Sequence, residues 1–190
     1  MTDHRAIVEA ILAGKREQFR LLVEEFQRLV SHIVFRMIPE SQDREDICQE
    51  VFVKVYQNLG SFRFGSKLST WVAQIAYNTC LTALSRKQLI IDDGFADRVE
   101  DSRPEWSASE MWRPDYRHES DDTATIVRRE IDQLPPIPGT ILVLFHLENM
   151  SLQQIAQVFT MPEGTIKSHL FRARKMLKER LTAKYQWEEV

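Results

Sequence analysis

Apolar side chains recur every three to four residues through the first half of the chain, which is the spacing of one face of an α-helix. The pattern predicts helices near residues 4–13, 17–38, 43–59 and 67–88. Gly14 and Gly60 stand where a left-handed residue would end a helix, and Pro39 is expected to stop the second helix. Residues 1–91 are therefore predicted to form a small helical bundle.

Helical periodicity returns near Thr123 and continues to about Lys184. The segment LPPIPG, residues 134–139, is rich in helix breakers and is expected to interrupt this second helical region. Residues 123–190 are predicted to form a second small helical domain, so the fold class is all-α.

A pair of short amphipathic helices is predicted near the end of the chain. Ser151, with Gln154 three residues later, forms a capping box before the apolar run of SLQQIAQVF, so a helix is expected to begin at Ser151. The link TMPEG leads into another helix, expected to begin near Pro162. Two helices joined in this way match a helix-turn-helix in spacing and chemistry.

The second helix of this pair is strongly basic, although the whole chain has a formal net charge of −3. Residues 165–184 hold seven Lys or Arg side chains and one Glu, a local net charge of +6. One face is apolar and is expected to pack in a core, with Ile166, Leu170, Ala173, Leu177 and Leu181. The opposite face carries Lys167, Ser168, Phe171, Arg172 and Lys175. It either binds DNA phosphates and base edges or is merely solvated, and an aromatic ring among the cations favours DNA.

Two stripes at helical spacing run along the segment DREDICQEVFVKVYQNLGSF. The stripe expected to be buried consists of Cys48, Val51, Phe52, Val55 and Leu59. The other stripe consists of Asp46, Gln49, Val53 and Tyr56. A mixed polar, apolar and aromatic stripe is typical of a protein–protein interface. The alternative is ordinary surface polarity with the tyrosine partly packed.

The next segment, SFRFGSKLSTWVAQIAYNTC, combines cations with aromatic and amide side chains. Arg63 and Lys67 lie in a Gly-containing loop, and a helix edge then carries Trp71, Gln74 and Asn78. Aromatic rings beside amides and cations can hold an unstacked base of single-stranded DNA. The alternative is that Trp71 belongs to the core of the bundle.

Composition narrows the possible functions. Of the 190 residues, 43% are hydrophobic and 28% are charged, which indicates a soluble protein with a core. No apolar run approaches the roughly 18 to 20 residues of a membrane span, and a cytoplasmic location is expected. The five histidines lie in unrelated segments and no Gly-rich phosphate loop occurs, which argues against an enzyme, a cofactor or a metal site. Cys48 and Cys80 are expected to be buried small hydrophobes.

Residues 92–122 differ in composition from both helical regions. They hold eleven Asp or Glu and four Arg, a local net charge of −7, and two prolines interrupt any helix. This composition predicts a flexible acidic linker. The charge either mimics nucleic acid or simply keeps the linker soluble and extended.

Taken together, the two helical regions resemble the extracytoplasmic-function sigma factors of bacterial RNA polymerase over nearly the whole chain. The motifs DREDICQEVFVKVYQNLGSFR and STWVAQIAYNTCLTALSRK are similar to the family's conserved region two. The stretch LPPIPGTILVLFHLENMSLQQIAQVFTMPEGTIKSHLFRARKML is similar to its region four.

The resemblance implies a role for each surface. Docking on core RNA polymerase would use Asp46, Gln49, Glu50 and Tyr56. Capture of non-template bases at the promoter minus-10 element would use Arg63, Ser66, Lys67, Trp71 and Asn78. Readout of the minus-35 element would use Lys167, Ser168, Phe171, Arg172 and Lys175. The linker would thread along the polymerase cleft.

The resemblance therefore implies a sigma factor that directs core polymerase to specific promoters, with an anti-sigma factor as a further partner. A helix-turn-helix repressor that binds duplex DNA without polymerase is the main alternative, and a third possibility is a pure interaction protein whose basic helix binds an acidic partner. Gln74 and Thr82 stand where relatives commonly carry an Arg and an acidic residue, which leaves the minus-10 sequence preference open. The extra Pro and Gly of LPPIPG predict a shorter or kinked helix at the start of region four.

Overall fold

The computed structural model describes residues 3–92 and 122–185, and every regular element in these two ranges is helical. The described residues fall into two compact units, one before and one after the gap. The all-α prediction with two small helical domains is confirmed. The predicted linker lies outside the described residues except for its two end residues, so the predicted domain boundaries remain predictions.

Residues 3–92 of the first unit form four α-helices and two short 3₁₀ turns. The α-helices are α1 (His4–Leu12), α2 (Phe19–Met37), α3 (Ser41–Asn58) and α4 (Leu68–Asp92). The 3₁₀ turns are Arg16–Gln18 and Leu59–Ser61. Helices α2, α3 and α4 pack against one another around a core that includes Leu22, Val30, Val51 and Val72. The four helices predicted from periodicity are thus present, with ends shifted by a few residues.

The helix ends follow local backbone chemistry. Ile38 is extended, with φ −101° and ψ 113°, as expected for a residue before proline, so Pro39 does stop α2. Gly14 has φ +96°, which confirms the predicted left-handed turn after α1. The same prediction for Gly60 is wrong: it lies inside a right-handed 3₁₀ turn, and the left-handed residue comes later, at Phe64 with φ 56°.

A buried arginine joins the end of α2 to α3, and the sequence pattern did not predict it. Arg44 donates from Nε to the Ile38 carbonyl oxygen at 2.8 Å and from a terminal nitrogen to the Pro39 carbonyl oxygen at 3.0 Å. Its guanidinium lies 5.5 Å from the centre of the Phe35 ring. The side chain thereby satisfies two carbonyl groups where α2 ends, which an apolar residue could not do.

Both cysteines are buried and neither forms a disulfide, as predicted. Burial raises the pKa of Cys80 to about 12 and also raises the pKa of Cys48 above its ordinary value. The thiols therefore stay protonated near neutral pH and pack as small groups in the core of the first unit.

The second unit contains α5 (Asp122–Asp132), α6 (Pro136–His146), α7 (Leu152–Phe159) and α8 (Glu163–Tyr185). The LPPIPG segment separates α5 from α6 as predicted, but its second half forms the first turn of α6. Proline is tolerated there because the first N–H groups of a helix have no partner within the helix.

The predicted capping box is present at the start of α7. Ser151 Oγ accepts from the Gln154 N–H at 3.2 Å, and Gln154 Oε1 accepts from the Ser151 N–H at 2.8 Å. Helix α7 ends at Thr160, whose φ of 53° is left-handed, and α8 begins directly after Pro162. Helices α7 and α8 pack on each other, with Ile155 and Ile166 fully buried. The two helices are thus arranged as a helix-turn-helix, although α8 is far longer than the short helix expected.

Candidate nucleic-acid and protein interfaces

The outer face of α8 projects away from the core, as its pattern predicted. Its apolar side is fully or largely buried at Ile166, Leu170 and Ala173, and Leu177 is half-buried. The residues of the opposite side are all exposed, namely Lys167, Ser168, Phe171, Arg172 and Lys175. Phe171 is 69% exposed, the largest exposed fraction among the large apolar side chains of the described residues. An aromatic ring so exposed among cations is suited to contact with bases.

The polar groups on this face are held only by neighbours one helical turn away. Lys167 pairs with Glu163 at 2.9 Å, and Lys175 lies 3.9 Å from Glu179. Ser168 Oγ donates to the Gly164 carbonyl oxygen at 3.0 Å. Exposed pairs of this kind contribute less than about 1 kcal/mol, so a DNA phosphate can replace them at small cost.

The contact of Arg172 with His169 does not neutralise the positive charge of the guanidinium. A terminal guanidinium nitrogen lies 3.2 Å from His169 Nδ1 and donates to it. Burial, followed by the nearby guanidinium, lowers the pKa of His169, so the ring is neutral near pH 7. The contact orients Arg172 along the helix face without neutralising it.

Three of the seven cations of residues 165–184 contact other helices of the same unit instead. Glu130 on α5 is fully buried, and its carboxylate accepts from Arg180 Nε at 2.9 Å and from Lys184 Nζ at 2.8 Å. Burial acts to raise the pKa of Glu130, but the hydrogen bonds and charges of these two cations outweigh it and hold that pKa below its ordinary value. Arg174 donates to His146 Nε2 at 3.0 Å and stacks over Phe145. The local charge of +6 therefore overstates what α8 offers to DNA.

A cleft between α3 and α4 brings together Trp71 and Asn78, two of the five residues predicted to hold single-stranded DNA, whereas Arg63, Ser66 and Lys67 do not line it. It has a volume of about 320 Å³ and is lined by Lys54, Asn58, Ser61, Trp71, Ile75, Asn78, Thr79 and Thr82. Trp71 is half-buried with its ring 5.2 Å from that of Phe62, so it is both a packing residue and part of an open wall. The cleft thus combines an aromatic wall with two amides, an ammonium group and hydroxyl groups.

The loop before α4 places two cations at the start of that helix. Arg63 and Lys67 are exposed, and Ser66 Oγ donates to the Lys67 carbonyl oxygen at 3.4 Å. The same carbonyl oxygen accepts from the N–H groups of Thr70 and Trp71, so Lys67 caps α4. The loop cations therefore lie at the positive end of a helix dipole, where an anion is favoured. Phe62 and Phe64, for which the sequence pattern predicted no role, pack on each other with ring centres 4.7 Å apart.

The outer face of α3 presents most of the residues predicted to contact another protein. Asp46 and Gln49 are exposed, Val53 is 53% exposed and Tyr56 is 40% exposed. Tyr56 also packs edge-on against Phe19 at 5.1 Å, so the side chain is partly packed and partly exposed, and its role in an interface stays a prediction.

Glu50 differs from the other residues predicted for this surface. Its carboxylate pairs with Lys54 at 2.7 Å, and Lys54 also donates to Thr79 Oγ1 at 3.3 Å. Because Lys54 lines the cleft, Glu50 lies at the border between the α3 face and the cleft. Its carboxylate already has a partner within the unit.

Two further kinds of feature are absent from residues 3–92 and 122–185. No three His, Cys, Asp or Glu side chains within them are grouped so that they could hold a metal ion. None of the helices described there is long and apolar enough to cross a membrane.

Comparison with known proteins matches both units. Sigma-70 region 2 matches residues 22–90, and Sigma-70, region 4 matches residues 124–177. The RNA polymerase sigma-H factor of Pseudomonas aeruginosa is 32% identical over 178 residues, which cover 92% of each chain. The ECF RNA polymerase sigma-E factor of Haemophilus influenzae is 33% identical over 184 residues, 95% of this chain and 96% of the relative.

Among solved structures, a sigma factor RpoE in complex with the anti-sigma factor NepR from Bartonella quintana is similar. Its TM-score is 0.64 at 18% sequence identity, covering 88% of this chain and 99% of that chain. At this identity the likeness concerns the fold alone.

Proposed function

The chain belongs to the extracytoplasmic-function sigma factors of bacterial RNA polymerase, and we propose that its two units divide promoter recognition between duplex and single-stranded DNA. The observation that carries this proposal is the cleft beside α4, which joins Trp71 and Asn78, while the exposed face of α8 lies in the other unit. The chain acts as a specificity subunit, and the chemistry of RNA synthesis belongs to the polymerase. We place it in the cytoplasm, where bacterial transcription takes place.

We assign the outer face of α8 to the duplex minus-35 element. Lys167 and Lys175 are placed as phosphate contacts, whereas Arg172, oriented by His169, suits a guanine edge. Phe171 is suited to a thymine methyl group, and Ser168 can contact DNA once its hydroxyl turns from the helix backbone. The shared feature of these residues is exposure without a strong internal partner.

Replacing Lys167 or Arg172 by Ala should weaken recruitment of the holoenzyme to a promoter by about 1 kcal/mol, roughly fivefold. The loss is modest because each side chain is exposed and, in the case of Lys167, already paired with Glu163. The salt dependence of binding should become shallower if a phosphate contact is lost. Band-shift titration of the holoenzyme at several salt concentrations measures both quantities. Lys15→Ala, the loss of an exposed cation in the other unit, should change neither, and an equal effect there would contradict the assignment.

We assign the cleft and the loop before α4 to the non-template strand of the minus-10 element. We assign Arg63 and Lys67, which are exposed just before α4, and Ser66 between them to contacts with backbone phosphates. The half-exposed ring of Trp71 provides a stacking surface, and the Asn78 amide can both donate to and accept from the edge of a base. Promoter melting is favoured by such capture because it stabilises unpaired bases.

We assign the α3 face to core RNA polymerase, with Asp46, Gln49 and Tyr56 as contacts, and Glu50 at its border. The solved relative from Bartonella quintana is held by an anti-sigma factor. We propose that an anti-sigma factor also controls this chain and competes with polymerase for the α3 face. Recovery of a ternary complex in which both proteins contact that face would exclude the competition.

Run-off transcription with purified core polymerase tests the function as a whole. The chain should be required for transcripts from its promoters, and the free chain should bind the same promoter duplex only weakly, because each unit has a small DNA footprint. Nanomolar, sequence-specific binding by the free chain at physiological salt, with no effect on run-off, would instead indicate a repressor.

A further inference from the structure

We propose that Arg5 on α1 is a positioning residue that holds the strand-capture loop, residues 62–67, through the ring of Phe64. The proposal rests on the function assigned above to this loop and to Trp71. Arg5 precedes Phe64 by 59 residues in the sequence. The proposal therefore gives α1 a part in promoter opening.

The backbone of the loop is strained at Phe64. Its φ of 56° is left-handed, a conformation that is unfavourable for a bulky side chain and requires compensation from the surrounding structure. The Arg5 guanidinium lies 4.9 Å from the centre of the Phe64 ring, within the range of a cation–π interaction. The Phe64 ring also packs on the ring of Phe62, with ring centres 4.7 Å apart, and this contact helps to compensate the strain.

A continuous series of side chains links Arg5 to the cleft. Phe62 is nearly fully buried, and its ring packs on Trp71 at 5.2 Å as well as on Phe64. Trp71 lines the cleft beside Asn78. If Phe64 relaxed to a right-handed or extended conformation, its neighbour Arg63 would be redirected and the packing of Phe62 against Trp71 would change.

Helix α1 is firmly placed, so Arg5 can act as a support. Asp3 caps the helix by accepting from the N–H groups of Arg5 and Ala6, both at 3.1 Å. His4 contacts Glu25 at 2.7 Å through Nε2 and packs on the Phe26 ring, which joins α1 to α2.

The far end of α1 touches the same connection between α3 and α4. A Cβ atom at Gly60 would lie 3.7 Å from Leu12 Cδ2, so α1 runs close to the 3₁₀ turn that precedes the loop. Helix α1 therefore contacts the connection at two places, Gly60 and Phe64, and the second contact depends on Arg5.

The test compares Arg5→Gln with Arg20→Gln in the full chain. Both variants remove an exposed arginine that pairs with a glutamate four residues later, Glu9 at 3.7 Å and Glu24 at 3.2 Å. Arg20 is not stacked on the loop, so it controls for lost charge and helix pairing. A background that leaves Trp71 as the single tryptophan is made by changing the others to Phe, at Trp106, Trp112 and Trp187.

Two readouts are expected to separate the variants. In the free chain, acrylamide quenching of Trp71 fluorescence should increase for Arg5→Gln and stay unchanged for Arg20→Gln. With core polymerase, closed-complex affinity should be preserved while the rate of promoter opening falls by about two- to fivefold, the range expected for an exposed cation–π contact. Arg5→Lys should retain most of the opening rate, because an ammonium group can also lie over the ring.

A double-mutant cycle tests whether Arg5 acts through the ring. Phe64→Gly relieves the left-handed strain but removes the ring, so Arg5→Gln added to it should cause no further loss of opening. Additive losses would overturn the proposal. The proposal would also be overturned if Arg5→Gln and Arg20→Gln had equal rates of promoter opening while a change at Trp71 still slowed opening. If opening depended on neither Arg5 nor Trp71, the assignment of base capture to this unit would fail as well.

Discussion

Polymerase that carries the Asn78→Ala or Trp71→Leu chain should open promoters about tenfold more slowly, while closed complexes form with nearly normal affinity. Base–aromatic stacking on Trp71 contributes about 1 to 3 kcal/mol per base, and a bidentate contact from the Asn78 amide to a base edge is in about the same range. A loss of 1.4 kcal/mol corresponds to about a tenfold change in rate. Both side chains line the cleft beside α4, which lies in the unit without the helix-turn-helix. Loss of either contact should therefore affect melting rather than the first recognition of duplex DNA.

Permanganate reactivity of unpaired thymines at the minus-10 element measures opening, and band-shift titration measures closed-complex affinity. Leu81→Ala is a matched control, because Leu81 is exposed on the same helix and does not line the cleft. Since Trp71 also packs on Phe62, circular dichroism and thermal melting must establish that its variant is folded. Folded variants of Asn78 and Trp71 that open promoters at the normal rate would leave base capture to the loop of residues 62–67 alone.

Replacing Glu130 by Gln should destabilise the second unit by about 2 kcal/mol. Removing one partner of a buried ion pair costs about 3 to 5 kcal/mol, and the partial exposure of Arg180 and Lys184 reduces this figure. Glutamine can still accept one hydrogen bond, but it leaves two cations without a negative partner. Hydrogen exchange of the α5 and α8 amides in the full chain measures the loss in this unit. Glu179→Gln, which affects an exposed pair at 3.9 Å, should change stability by less than about 0.5 kcal/mol.

The contacts of Glu130 with Arg180 and Lys184 also give the stability of this unit a defined dependence on pH. The pKa of Glu130 is lower in the folded chain than its ordinary value of 4.5, so the folded state binds this proton less readily than the unfolded state. The stabilisation is therefore fully present above that ordinary pKa and is lost as the pH falls below it through the folded pKa. Glu130→Gln should lack this part of the acid-induced loss. If the free energy of unfolding of this unit had the same pH dependence in Glu130→Gln and in the parent chain, the role assigned to the contacts of Glu130 with Arg180 and Lys184 would be contradicted.

Local chemistry in the sequence was enough to place the helices and the helix-turn-helix. The periodicity of apolar residues located α1 to α4, and the Ser151–Gln154 capping box located the start of α7. These features depend on contacts three or four residues apart, which a single sequence displays directly. The exposed face of α8 followed from the same periodicity, because a buried stripe leaves the opposite residues outside. Gly60 was misjudged because a glycine permits a left-handed turn without requiring one.

Only the tertiary structure decided which distant side chains meet. Glu130 takes two cations 50 and 54 residues away, Arg44 reaches back to the end of α2, and Arg5 lies over Phe64. Trp71 and Asn78 share a cleft with Lys54 and Asn58 because α3 and α4 pack side by side. Periodicity indicates whether a residue lies on the buried or the exposed face of its own helix. It does not indicate which helix packs against that face, or at which position along the helix axis. The partners of buried charges and the walls of a cleft depend on that packing, which is determined by the fit of whole helix surfaces.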